Sequence, residues 1–231
     1  DEHIIVLNKP PGLPSQGGSG QGDRHVDGLT EALKFGFKDR PKLVHRLDKE
    51  TSGALVVATS RGGVSVLRGE DWTTYTIENG LTQNETFAAL EDRSGRIWVA
   101  TENRGITRLD GDQATVFNAS NGLPSDVGYA LAEDGAGAVW IATGEGIARI
   151  EGERIQAFST EAGLPEGAAF SLAVAPDGRL FVGTEEGLFV GRGGRFEPVL
   201  PDFPKVAIAS LQIDEQGSVW IGTVTRGLMR L

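Results

Sequence analysis

Cysteine is absent from all 231 residues, which removes disulfide frameworks, thiolate metal sites and cysteine nucleophiles. Methionine occurs once, tyrosine twice and histidine three times. No apolar run approaches the roughly 18 residues of a membrane-spanning helix. The N-terminus has no basic-then-apolar secretory pattern, and no membrane span is expected. The first residue is Asp1 rather than methionine, as in a processed product or a fragment. Lysine is scarce and unevenly placed, with five of the six residues and all three histidines within the first 60 positions.

What is present divides at about the same point. Residues 1–60 hold eight acidic and eight basic side chains, whereas residues 61–231 hold 24 acids against 14 bases and carry the whole net charge of −10. Such a shift marks a boundary in the chain. The acidic body should repel a polyphosphate, so any RNA contact is expected from the first part. Glycine is abundant at 33 residues while aromatics are few. That balance suits many short strands joined by tight turns.

The first part reads as a small α+β segment. His3 to Asn8 is a strand stopped by Lys9-Pro10-Pro11-Gly12, Leu13 to Asp27 a loop, and Val26 to Phe37 a short helix with Leu29, Leu33 and Phe37 near helical spacing. His45-Arg46-Leu47-Asp48-Lys49-Glu50-Thr51-Ser52-Gly53 is a charged loop leading into a strand at Ala54 to Ala58. An aspartate between Arg46 and Lys49 stays ionised, because adjacent positive charge favours the carboxylate. A nucleophile or base needs that state. The common alternative for such a loop is a solvated turn with surface ion pairs of little energetic weight.

The Asn8-Lys9-Pro10-Pro11-Gly12 motif and the nine residues His45 to Gly53 resemble the first two motifs of the pseudouridine synthases that act on ribosomal large-subunit and transfer RNA. The resemblance covers residues 1–58 and implies Asp48 as the catalytic residue. It also implies RNA contacts from Arg46, Lys9 and Lys49, a flipped target uridine, and no cofactor or metal. The family's tyrosine-bearing and basic motifs do not follow: Tyr75 and Tyr129 match neither. About 60 residues form a marginal core, so an inactive synthase segment is expected.

From residue 54 an internal repeat takes over. Thr59, Thr101, Thr143, Thr184 and Thr223 recur at spacings of 42, 42, 41 and 39. Val56, Trp98, Trp140, Phe181 and Trp220 stand three residues before them, and Gly95, Gly137, Gly178 and Gly217 six before the last four. A Gly-Leu-Pro or Gly-Leu-Thr corner recurs at Gly80, Gly122 and Gly163. Each unit reads as four strands, in the second unit Tyr129 to Glu133, Ala138 to Thr143, Ile147 to Glu151 and Ile155 to Phe158. Glycines of the stretch 133–137, and Gly144 and Gly146, are expected to supply positive φ at the turns.

Four strands at this period are the mark of a β-propeller blade. The Gly-Leu-Pro, Leu-x-Glu-Asp, Trp-Ile-x-Thr and Gly-Ile-x-Arg elements resemble the two-component regulator propeller repeat, found in sensor regions of hybrid histidine kinases. The fold class expected for residues 54–231 is therefore all-β, a propeller-like array of about four to five four-stranded blades. About 18 strands, with three at either end, do not close a ring and imply an open arc whose edges favour self-association. The tryptophans are expected to fill the space between sheets. Asp92, Asp134 and Asp214 are expected to cap turns rather than hold calcium. The threonines read as hydrogen-bonded structural residues.

The function expected from these readings is a non-enzymatic sensor or interaction module, with an unknown ligand or protein at a propeller face, fused to an inactive synthase fragment. The alternative is an RNA pseudouridine synthase working through Asp48, and a third reading is a chimeric or truncated product without coherent function. The location follows the governing part: cytoplasmic for a synthase, extracytoplasmic for a sensor propeller.

Overall fold

A computed structural model describes residues 55–59, 62–68, 71–214 and 216–231. The strand, loop and helix expected before residue 54, and Asp48, Arg46, Lys9 and Lys49, lie outside the described residues.

The remainder folds into five antiparallel sheets taken in chain order. The first holds β1 (Leu55–Ala58), β2 (Val64–Arg68) and β3 (Asp71–Tyr75). The second holds β4 (Thr86–Glu91), β5 (Ile97–Thr101), β6 (Ile106–Asp110) and β7 (Gln113–Phe117), and the third β8 (Gly128–Glu133), β9 (Val139–Thr143), β10 (Gly146–Glu151) and β11 (Arg154–Phe158). The fourth comprises β12 (Ala169–Val174), β13 (Leu180–Thr184), β14 (Gly187–Arg192) and β15 (Arg195–Pro198), and the fifth β16 (Ile208–Ile213), β17 (Val219–Thr223) and β18 (Gly227–Arg230). The strand count and the three-strand sheets at either end agree with the phase of the repeat.

Burial explains the strand sequences. β5, β9 and β13 are buried at every position, because each sits between two strands of its own sheet and between two neighbouring sheets. Such strands read as unbroken apolar runs rather than alternating ones. The peripheral β11 exposes most of its residues. Four cores lie between successive sheets, the third and fourth sheets, for example, closing over Trp140, Phe158, Leu172, Val182 and Phe196. The aromatic residue expected to fill each gap does so at Trp98, Trp140 and Phe181, all at most 8% exposed.

The threonines are structural, as expected. Thr59, Thr101, Thr143, Thr184 and Thr223 each donate a side-chain hydrogen bond to a glycine carbonyl across the following turn. At Gly105 and Gly146 φ is 76° and 87°, a region L side chains rarely enter. A Cβ at Gly105 would also meet the Phe117 carbonyl oxygen at 2.1 Å. Gly144 departs from expectation, since it is not among the positive-φ glycines. Space explains it instead: a Cβ there would approach Ser125 Oγ to 3.0 Å, while its N–H donates to the Val127 carbonyl.

The sheets are arranged around an axis. β4, β8, β12 and β16 pack against one another in succession, and β1 meets β4 as β5 meets β8. These first strands are therefore axis-proximal, and β7, β11 and β15 are peripheral. Among the described residues the first sheet has no axis-proximal strand and the fifth no peripheral one. No comparable packing joins β16 to β1, so the described residues form an open arc.

Candidate functional site

The turn between the first two strands of a blade begins with an aspartate in three sheets. Asp92 Oδ1 accepts from the backbone N–H groups of Ser94 and Arg96, and Oδ2 accepts from Trp98 Nε1 at 2.7 Å. Asp134 repeats the pattern with Ala136, Ala138 and Trp140, and Asp214 with Gln216, Ser218 and Trp220. Burial alone would push the Asp92 and Asp134 carboxyls up, but these donors and the adjacent Arg96 or Arg149 outweigh it and hold both below the ordinary carboxylate range. The Trp220 indole is the leading cause of the same lowering at Asp214. All capping capacity is directed inward, so these aspartates are turn residues, as expected.

The opposite ends of the strands carry a different feature. In β4, β8, β12 and β16 pairing with the second strand slips by one residue, between Thr86 and Ala88, Gly128 and Ala130, Ala169 and Ser171, and Ile208 and Ser210. The residues inserted there are Phe87, Tyr129, Phe170 and Ala209. A bulge takes a side chain out of the strand's alternation and re-aims it. Here three aromatic rings result, running from sheet to sheet along the axis-proximal strands. Phe87 stacks on Tyr129 with centroids 5.7 Å apart and planes at 8°, and Tyr129 meets Phe170 edge-on at 5.2 Å. Phe87 is 48% exposed, while Tyr129 and Phe170 are half-buried.

Acidic loops flank the starts of these strands. Glu102 lies beside Glu85 through a backbone bond, and Glu185 beside Ala168, two residues before Phe170. Glu145 follows Gly144, which is tied to Val127 just before Tyr129. Glu102, Glu145 and Glu185 are exposed, and none forms a salt bridge among the described residues. Glu186 is paired with Lys205 at 3.1 Å. A shallow depression lined by Gln156, Phe158, Glu161 and Arg195 lies apart from this face, on the peripheral strands β11 and β15.

The four sequence-predicted site residues, Asp48, Arg46, Lys9 and Lys49, lie outside the described residues. The aromatic row is absent from the sequence reading. Its signal was available, since Phe87, Tyr129 and Phe170 each stand fourteen residues before a repeat threonine.

Comparison with known proteins finds two families in the chain. A family model described as RNA pseudouridylate synthase matches residues 3–77, and one described as two component regulator propeller matches residues 80–103. The mitochondrial RNA pseudouridine synthase 4 of Arabidopsis thaliana is 48% identical over 67 residues, 29% of this chain and 14% of that protein. The ribosomal large subunit pseudouridine synthase C of Rickettsia typhi is 48% identical over 58 residues, 25% of this chain and 18% of its own length. The chain thus spans less than a fifth of these curated relatives. Among solved structures, the extracellular domain assigned to the hybrid two component system BT3049 of B. thetaiotaomicron superposes with a TM-score of 0.67 at 20% identity, covering 84% of this chain and 29% of that one. The synthase match runs through β1, β2 and β3, whose β2–β3 pairing nevertheless repeats that of β6–β7. The chain joins a stretch similar to pseudouridine synthases to an array with the propeller fold.

Proposed function

We propose that the chain acts as a non-enzymatic propeller module that receives a ligand or protein at the axis-proximal face, with residues 1–58 as an inactive synthase segment and 54–231 as the module. The aromatic row at the bulges carries this reading. Exposed aromatic surface contributes little to an isolated fold, and its concentration near the axis beside loops whose carboxylates form no salt bridge among the described residues is the arrangement of a recognition surface. Membership of an extracytoplasmic sensor follows from the same reading. Among the described residues no helix is long and apolar enough to cross a membrane. Among the described residues the outer edges of β1 and β18 pair with no further strand and would offer backbone for self-association, which light scattering would detect as concentration-dependent mass.

The second reading, an RNA pseudouridine synthase in the cytoplasm, is favoured by 48% identity over 67 residues to a synthase and by the synthase family match across residues 3–77, which include Asp48. Asp48 would act there as the catalytic residue, with Arg46, Lys9 and Lys49 on the RNA. The acidic body opposes it, since 24 acids against 14 bases after residue 60 repel a polyphosphate. Incubating the full chain with ribosomal and transfer RNA and digesting for mass spectrometry decides between the readings. No pseudouridine is expected, and product that disappears in Asp48→Ala would establish the enzyme.

A further inference from the structure

We propose that residues 44–49, which include Asp48, form the axis-proximal strand that the first sheet lacks, pairing with the open edge of β1 and packing along β4. This goes beyond the module reading and gives the synthase-like motif a structural task inside a blade.

The edge of β1 calls for a partner. Thr59 N–H donates to the Gly63 carbonyl, and alternation along an antiparallel pair sends the N–H groups of Val57 and Leu55 the same way, toward β2. Those of Val56 and Ala58 therefore point out of the sheet, where no described strand lies. Val56 is nonetheless only 3% exposed, and a buried N–H without an acceptor is rare. The flank of β4 is open as well. β8 packs between β4 and β12, and β12 between β8 and β16, whereas β4 has an axis-proximal neighbour on one side only among the described residues. The aromatic row has the same gap: Tyr129 lies between two rings and is half-buried, while Phe87 meets Tyr129 alone among the described rings and is 48% exposed.

The phase of the repeat names the occupant. β4, β8, β12 and β16 each begin fifteen residues before a repeat threonine and end ten before it. The same count back from Thr59 gives Val44 and Lys49. Leu47 then stands twelve before its threonine, as Leu131, Leu172 and Leu211 do, and His45 fourteen before it, as Phe87, Tyr129 and Phe170 do. An imidazole at that place extends the row onto the open side of Phe87. Asp48 falls in phase with Leu90, Ala132 and Ala173, each packed in the core shared with the following sheet. Its charge is met on that face by Arg46, about 6.6–6.8 Å away along the strand. An aspartate held there, opposite Val56 in the register that sets Leu90 opposite Trp98, is not free to meet a flipped base. Of the two outer edges, β18 then stays open to self-association.

The test uses the full chain, whose lack of cysteine makes introduced thiols unambiguous. In the other blades Leu90 shares a core with Leu131, Ala132 with Leu172 and Ala173 with Leu211. The matching pair across the first gap is Asp48 and Ala89. Asp48→Cys/Ala89→Cys, treated with a short bismethanethiosulfonate and resolved by mass, is expected to cross-link within one chain at least about tenfold more than Asp48→Cys/Trp72→Cys. The second thiol of that control replaces an exposed residue of β3 in the same sheet. Circular dichroism confirms that both variants are folded, and the preference should vanish in urea. Amide exchange followed by NMR reads the ladder in the unsubstituted chain. Val56 and Ala58 are expected to be protected at least about a hundredfold over unstructured amides, like their counterparts Trp98 and Ala100 in β5. Exchange of Val56 and Ala58 at the unstructured rate or equal cross-linking of the two pairs overturns the proposal. Cross-links confined to dimers also overturn it, because a second copy would then supply the strand. None of these readouts involves a ligand at the axis-proximal face, so their failure leaves the module reading standing.

Discussion

The turn that joins the first two strands of a blade is built twice over in the second, third and fifth sheets and once in the fourth. All four turns share the same backbone bonds: the residue at the start of the turn donates to the residue four positions on, and the glycine N–H donates back to it. All four glycines, Gly95, Gly137, Gly178 and Gly217, have φ between 81° and 84°. Only three have an aspartate at the start, and those three have tryptophan six residues later. The fourth has Ala175 and Phe181. Arginine follows the same division, since Arg108, Arg149 and Arg230 face the tryptophans across the strand pair while Val190 faces Phe181. The backbone and its glycine therefore make the turn, and the aspartate serves the indole. Where the donor is gone, so is its acceptor, as expected when an unpaired buried polar group costs more than the pair contributes.

The sharpest break of this comparison is Asp92→Ala. It strands the Trp98 indole N–H at 2% exposure and removes the acceptor of two backbone donors and of Arg96. Unfolding free energy from urea titration should fall by about 3 kcal/mol. Adding Trp98→Phe, which converts the site to the Ala–Phe form of the fourth sheet, should add no further loss, a coupling of about 1–2 kcal/mol in a double-mutant cycle. Simple additivity would mean that the aspartate acts on the turn alone.

The reverse graft is milder. Phe181→Trp in the fourth sheet places an indole N–H opposite Ala175, where no carboxylate waits, and should destabilise by about 1–2 kcal/mol. Ala175→Asp in the same chain should recover about half of that. Recovery is limited because Arg179, which lies 5.4 Å from the Phe181 centroid, is already bound to Asp177 at 2.7 Å. No recovery would show that the arginine facing each tryptophan, absent here, is a necessary third member.

These contrasts also show what a sequence discloses. Strand number and sheet composition were legible because threonine and glycine recur in phase and each has a fixed backbone task. The pairing of Asp92 with Trp98 was legible only as recurrence, since its meaning is a distance across a hairpin. The aromatic row was legible only as a recurrence fourteen residues before the threonines; its exposure was not, because a bulge is a slip in register between two strands and alternation within one strand does not signal it. Phe87 reads in sequence as an ordinary strand residue. The junction with the synthase-like stretch hides in the same phase: Gly53 stands six residues before Thr59 as Gly95 does before Thr101, and Glu50 stands nine before it, the place of Asp92. The end of the nine-residue motif thus falls in phase with the repeat, which is why residues 50–59 satisfy both sequence patterns. The candidate RNA-modifying residues were legible only through resemblance, because an aspartate flanked by cations is a common surface arrangement.

The smallest expected effect is the most diagnostic of where the aspartates do their work. The Asp92, Asp134 and Asp214 carboxyls are held below their ordinary value in the folded chain. An unfolded aspartate titrates near about 3.9. A depressed folded value means that the unfolded chain takes up protons first, so the stability these groups contribute is complete above that pH and is lost as pH falls through the folded values. Acid unfolding followed by tryptophan fluorescence should therefore begin below about pH 4. The double variant Asp92→Ala/Trp98→Phe lacks one of these groups, so its residual stability should decline less steeply between pH 4 and the folded value. Conversion of the fourth turn by Ala175→Asp/Phe181→Trp should steepen the decline, because it adds a carboxylate of the same kind. Identical acid slopes in all three proteins would place the acid-sensitive groups elsewhere.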